Sequence, residues 1–185
     1  MLDVLDQVLA ELPALLRDGG WQSKLIDYHP PKVERVWRQH GDYRILLHRI
    51  HPCEAPKVGD PRADRHWVVP RQEGKALWHP HNWPAAMLVV SGLYEMGIGE
   101  GPDGSTARIA GVVRLTAGSR YEMTNPWAWH YVRPIGRPSM SVMVTGPLYE
   151  GGLDAPSTND YPFPELSDHA VEVMLELFAA LLGDT

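Results

Sequence analysis

At 185 residues, with 44% hydrophobic and 22% charged side chains, the chain is about one domain long and able to bury a core unaided by metal or disulfide. A net charge of -6 works against a broad nucleic-acid surface, which needs an excess of Lys and Arg. The single cysteine, Cys53, excludes an intrachain disulfide and any zinc site built on several thiolates.

The first segment places Leu2, Leu5, Leu9, Leu12 and Leu16 at three- to four-residue spacing, which predicts an amphipathic helix over about 2–17. Pro13 predicts a kink or break near residue 12, and Gly19 and Gly20 end the segment. Acids among these leucines, with no basic stretch before them, do not read as a secretory signal. No run of eighteen apolar residues follows, so no membrane partner is expected and a cytoplasmic location is the expectation. The middle of the chain changes texture. Short runs rich in β-branched and aromatic residues fall at 43–51, 66–69, 87–90, 93–98, 108–115, 129–132 and 139–144. Turn-forming residues separate them, with loops expected at 55–64 and 151–159 and a turn at 100–105. Many short strands without long helices between them argue for an antiparallel sandwich or barrel over about 43–150. A closing helix over about 167–182 is predicted from Val171, Met174, Leu175, Phe178 and Leu182, with Ser167 as its cap. The whole reads as one domain over 1–185, its helices packed outside the barrel or lending an apolar face to a homodimer.

The chemistry concentrates in LWHPHNWPAAMLVVSGLYEMGIG. Residues two apart on a strand face the same side, so His79 and His81 present two imidazoles to one space. With nine histidines, composition alone yields roughly 0.4 such pairs, so this pair is weak evidence by itself. His130, in the Trp-rich run WAWHYV, offers a third imidazole from a distant strand and would complete a facial triad with open positions for substrate or water.

These residues resemble the cupin superfamily. Its first motif, G-x5-H-x-H-x3,4-E-x6-G, is matched at His79, His81 and Gly92, with Gly74 one residue close and Ala85 in place of the glutamate. Its second, P-x-G-x2-H-x3-N, is matched at Gly118 and Asn125, with Thr116 for the proline and Tyr121 at the histidine position, so that His130 is the nearest histidine. The resemblance spans roughly 74–146. It implies an all-β, cupin-like double-stranded β-helix, or jelly-roll barrel, with flanking helices. It also implies one divalent metal held by His79, His81 and His130. A three-histidine set without a carboxylate, and His130 followed by x-Val, is similar to the thiol dioxygenases of that superfamily, which implies Fe(II). Coordination logic alone leaves Zn, Ni, Co, Cu and Mn open.

The expected activity is therefore an Fe(II)-dependent dioxygenase acting on a small organic molecule. The alternatives are a metal-dependent lyase or isomerase, and a non-catalytic small-molecule-binding cupin. The residues expected to serve proton transfer are Tyr121, Glu95 and Glu122. By strand alternation Glu95 faces away from Tyr94 and Met96, and each glutamate reads first as a solvated partner of Arg108, Arg114 or Arg120 and only second as a proton-transfer group. Tyr131, His48, His66, Arg44 and Arg49 are further candidates, and Trp78, Trp83, Trp127 and Trp129 bracket the proposed ligands as an aromatic wall.

Overall fold

The computed structural model describes residues 1–27, 31–52, 79–101, 108–150 and 163–183. The strand expected at 66–69, the loops at 55–64 and 151–159, most of the turn at 100–105, and Cys53, His66, Gly74 and Trp78 lie outside them.

Helix α1, Leu2–Leu15, buries Leu5, Val8 and Leu12 as the spacing requires. The expected break at Pro13 does not occur. The helix runs through it, and the proline falls in the last turn, where a missing backbone donor disturbs least of the helix downstream. Two strands that no alternation announces come next, β1 Gln22–Ile26 and β2 Val33–His40. The remaining strands are β3 Tyr43–Ile50, β4 His79–Pro80, β5 Ala85–Ser91, β6 Leu93–Glu100, β7 Arg108–Thr116, β8 Arg120–Met123, β9 Ala128–Pro134 and β10 Ser139–Thr145. Helix α2, Asp168–Gly183, closes the chain, and the Ser167 hydroxyl accepts a hydrogen bond from the Ala170 amide at 3.3 Å, the cap its sequence predicts.

The strands pair as one long hairpin folded over itself. β6 pairs with β7, β5 with β8, β4 with β9 and β3 with β10, all antiparallel. Successive pairs alternate between two sheets, ordered β1-β2-β3-β10-β5-β8 and β4-β9-β6-β7. That nesting is the jelly roll of a cupin-like fold. Neither sheet closes on itself, so the expected barrel is an open two-sheet sandwich with helices on one side. Closure is a matter of strand number and register between sheets, which local pattern does not carry.

Both faces of the larger sheet are covered. Its outer face, with Val36, Ile45, Leu47, Ala86, Val142 and Val144, packs against Leu5, Leu12, Met174 and Phe178 of the helices. The buried stripes of both helices are thus engaged within the chain. On the inner side, Ile50 and Val89 meet Tyr94, Met96 and Val132 of the smaller sheet. Every residue of β10 is buried, Ser139, Ser141 and Thr145 included, because both faces of this strand are covered. At Gly92 the chain turns from β5 to β6 with φ of +87°, and an added Cβ would lie 2.8 Å from the Ser139 Cα, so only glycine fits. Among the described residues no helix is long and apolar enough to cross a membrane.

Candidate metal centre

β4 sets the centre. Its two-residue pairing with β9 puts His79 directly opposite His130, and Pro80 opposite Trp129. His81 follows two residues after His79 and turns the same way. The Nε2 atom of His130 stands 2.9 Å from that of His79 and 3.0 Å from that of His81. One ligand atom from each residue lies within 4.8 Å of the others, and His130 and His81 are buried.

Hydrogen bonding does not account for this arrangement. An imidazole–imidazole bond needs one protonated and one bare nitrogen. His130 Nε2 faces two such nitrogens at once and a neutral ring can satisfy one of them. Protonation is disfavoured. Burial pushes His81 down to about 3, helped by His79 and Arg35, and burial, with His79 and His81 adding, holds His130 well below the ordinary histidine range. The His81 and His130 rings are thus held in the neutral form, the one that binds metal. Two nitrogens at right angles on an ion about 2.1 Å away stand about 3.0 Å apart, against about 3.4 Å for a tetrahedral pair. The donor set and both spacings therefore fit a divalent ion. Among the described residues the buried Nδ1 atoms of His81 and His130 have no hydrogen-bond partner, so none of these supplies the outer acceptor that commonly orients a ligand histidine.

The inner face of the larger sheet lies across from the triad. There Arg35 on β2 donates from Nε to His48 Nε2 on β3 at 2.8 Å, which makes that ring nitrogen the acceptor. Burial, then Arg35, His81 and His79, depress the basicity of His48, so this pair shares the electrostatic environment of the triad. The sequence singled out His48 but not Arg35, because β2 itself went unrecognised. Arg44, weighed beside His48, is exposed and lies over the Trp37 ring at 4.8 Å. Arg49 pairs with Glu34 at 3.5 Å.

Of the three residues expected to transfer protons, only Tyr121 faces inward. It lies opposite Met87, donates to the Met87 sulfur at 2.7 Å, and sits 2.9 Å from the Tyr94 hydroxyl. Burial, and then Tyr94, push its phenol well above the usual range. Glu95 lies on the other face of the smaller sheet, as alternation predicts. It accepts from Tyr131 at 3.0 Å and Arg133 at 2.8 Å, a partner different from the arginines expected. Glu122 is opposite Ala86 on the helix-covered face and binds the N-terminal amine at 3.1 Å. Neither carboxylate shares a face with the triad. Ala85 and Ala86 supply no ligand atom. Of the tryptophans, Trp83 stacks on His81 with centroids 5.8 Å apart. Trp129 turns outward and donates to the Gly101 carbonyl at 2.9 Å, and Trp127 is exposed.

No family model matches the chain, and no curated protein matches it in sequence. Among solved structures it is similar to KdgF from Halomonas sp. at 12% identity and a TM-score of 0.43, covering 68% of this chain and 89% of that one. AerE from Microcystis aeruginosa gives 17% and 0.44, covering 69% of this chain and 47% of that one. An RmlC-like cupin from Shewanella frigidimarina gives 12% and 0.42, covering 69% and 86%. Likenesses of this size add nothing to the fold read from the strand order and say nothing of substrate or reaction.

Proposed function

We propose that this chain is a metal-dependent enzyme acting on a small organic molecule, with His79, His81 and His130 holding one divalent ion and a lyase or isomerase reaction as its chemistry. The convergence of three imidazole nitrogens, with no described carboxylate on that face, carries the reading. An ion held by uncharged ligands keeps its full charge and supplies Lewis acidity toward a substrate oxygen. The chain's own residues do the rest. Trp83 packs against His81 and shields that side from water. The buried Tyr121 phenol, inward-facing and paired with the Tyr94 hydroxyl, stays protonated and would serve as the proton donor. The Arg35 guanidinium adds fixed positive charge to the wall opposite the triad.

A second reading, an Fe(II)-dependent dioxygenase, is favoured by the 2.9 and 3.0 Å spacings, which suit ligands at right angles on an octahedral ion. Metal analysis of untagged protein purified without added metal separates the readings, for wild type and His130→Ala. Near-stoichiometric zinc, nickel or manganese, lost in the variant, supports the Lewis-acid reading, which then requires a Tyr121→Phe rate loss on the order of 100-fold with metal retained. Iron, with oxygen uptake driven by thiols or small aromatics, supports the second. Wild type that holds no metal after reconstitution overturns both and leaves a small-molecule-binding module.

A further inference from the structure

One row across the inner face of the larger sheet is polar where the rows beside it are largely apolar. The registers of β2, β3 and β10 set Arg35, His48 and Ser141 side by side in it. Trp37, Leu46 and Met143 flank the row on one side and Val33 and Ile50 on the other, in two separate apolar clusters. His48 and Ser141 are 5% and 1% exposed. A row that served packing alone would be apolar, because burying polar groups costs free energy that hydrocarbon of similar shape does not.

The bond within the row suggests its use. Arg35 donates its Nε–H to His48 Nε2 at 2.8 Å. Burial above all keeps that imidazole uncharged, so the pair carries the single positive charge of the guanidinium. With Nε held, the guanidinium plane is fixed, and its two terminal nitrogens form the edge whose spacing matches the oxygens of a carboxylate. His48 lies close enough to His79 and His81 for their charges to act on it, so the row and the triad face one space. Stacked sheets stand about 10 Å apart, which leaves room for only a short molecule between side chains that reach in from both walls.

We propose that the substrate is a small carboxylate spanning this gap, its carboxylate on the Arg35 fork and a second oxygen, of a hydroxyl, carbonyl or further carboxylate, facing His79, His81 and His130. This rests on the metal-enzyme reading and names its substrate class. A divalent ion bound by imidazoles alone keeps its double charge, and Arg35 adds positive charge to the same space, so the electrostatics select an anion. A carboxylate fills one fork with both its oxygens, whereas a phosphate leaves a third to be met elsewhere. His48 acts through Arg35, as a positioning residue.

Isothermal titration calorimetry of the full chain, metal-loaded and chelated, tests this with malate, succinate and 3-hydroxybutyrate, each beside its neutral amide, and with inorganic phosphate. Wild type should bind at least one of the carboxylates with a Kd below about 1 mM, and its amide about tenfold more weakly or worse. Arg35→Gln should weaken that binding roughly 10- to 100-fold at unchanged metal content, and Arg35→Lys, which keeps the charge without the fork, about tenfold. His48→Gln, whose amide oxygen can accept from the Arg35 Nε–H, should retain affinity that His48→Leu loses. Carboxylate binding by the chelated protein that is lost in Arg35→Gln upholds the inference even for a wild type isolated without metal, so the two readings fail separately. Carboxylates bound no better than their amides, phosphate bound more tightly than all of them, or affinity indifferent to Arg35→Gln overturns it.

Discussion

Metal removal should cost this protein stability in proportion to how well the triad holds the ion. Free metal at about 100 times Kd adds about 2.7 kcal/mol to the folded state. For a chain of this length each kcal/mol moves the melting point by about 2–4 °C, so chelation should lower it by about 5–11 °C. His130→Ala should abolish that difference. His130 is the shared nitrogen, 2.9 and 3.0 Å from the other two, while the rings of His79 and His81 are 5.6 Å apart at their centroids. Without metal the same variant should melt close to chelated wild type. The substitution leaves a cavity, but it also removes a buried ring whose Nδ1 has no partner, and these effects oppose one another. Thermal melts of wild type and variant, with chelator and with Fe(II), Co, Ni, Cu, Zn or Mn in turn, read out all four states. Equal shifts in the two proteins, or none in wild type with any ion, would refute the assignment.

The other expectations concern groups around that centre and the fold. Gly97→Ala should destabilise by about 1–2 kcal/mol in urea titration, because an added Cβ would lie 2.0 Å from Tyr131 Cε1 and displacing the ring breaks its hydrogen bond to Glu95. An unchanged midpoint would mean the ring moves without cost. The chelated protein should lose stability as pH falls below about 6.5: His81 has a folded-state value of about 3, so the unfolded chain takes up the proton first. Stability from this group is flat above 6.5 and declines down to about 3, with about 2 kcal/mol lost by pH 5. His48 and His130 act in the same direction, and equal urea midpoints at pH 7 and 5 would contradict buried, neutral rings. Ser167→Ala should cost about 1 kcal/mol by loss of the α2 cap, visible as a lower melting point, and no change would show that the cap is not limiting.

Two of the three candidate ligands were legible because their signal is local. His79 and His81 fall two apart, and period two is the one regularity a strand imposes whatever it packs against. The same rule assigned Glu95 to the face away from Met96. It could not name Arg133 as its partner, because that depends on the register of β9 against β6, set by residues far away in sequence. Glu122 was opaque for the same reason, its partner being the chain's own N-terminus. β2 escaped notice because VERVWRQH inverts the usual pattern. Val36 points to the helices, while Arg35 and Trp37 point between the sheets, so neither face is uniformly apolar. Missing the strand meant missing Arg35, the polar group placed opposite the triad. The break that Pro13 could have caused did not occur, because the proline stands near the helix end and the helix runs through it.

The distribution of polar groups between the sheets argues for a role beyond stability. Where Ile50 and Val89 meet Tyr94, Met96 and Val132, the interior is apolar apart from the paired Tyr94 and Tyr121 hydroxyls. The other region buries His81, His130 and His48, each pushed toward neutrality by burial, with two ring nitrogens left unmatched. Each unmatched buried donor or acceptor costs about 1–3 kcal/mol, and apolar residues of similar shape would remove that cost. The carboxylates that could have offset it, Glu95 and Glu122, are engaged on outer faces instead. An ion at the meeting point of the three Nε2 atoms would satisfy those three nitrogens together, which no hydrogen-bond pattern among the rings can do, although it leaves the two Nδ1 atoms as they are. The stability difference between loaded and chelated protein is therefore the direct measure of why these imidazoles are buried.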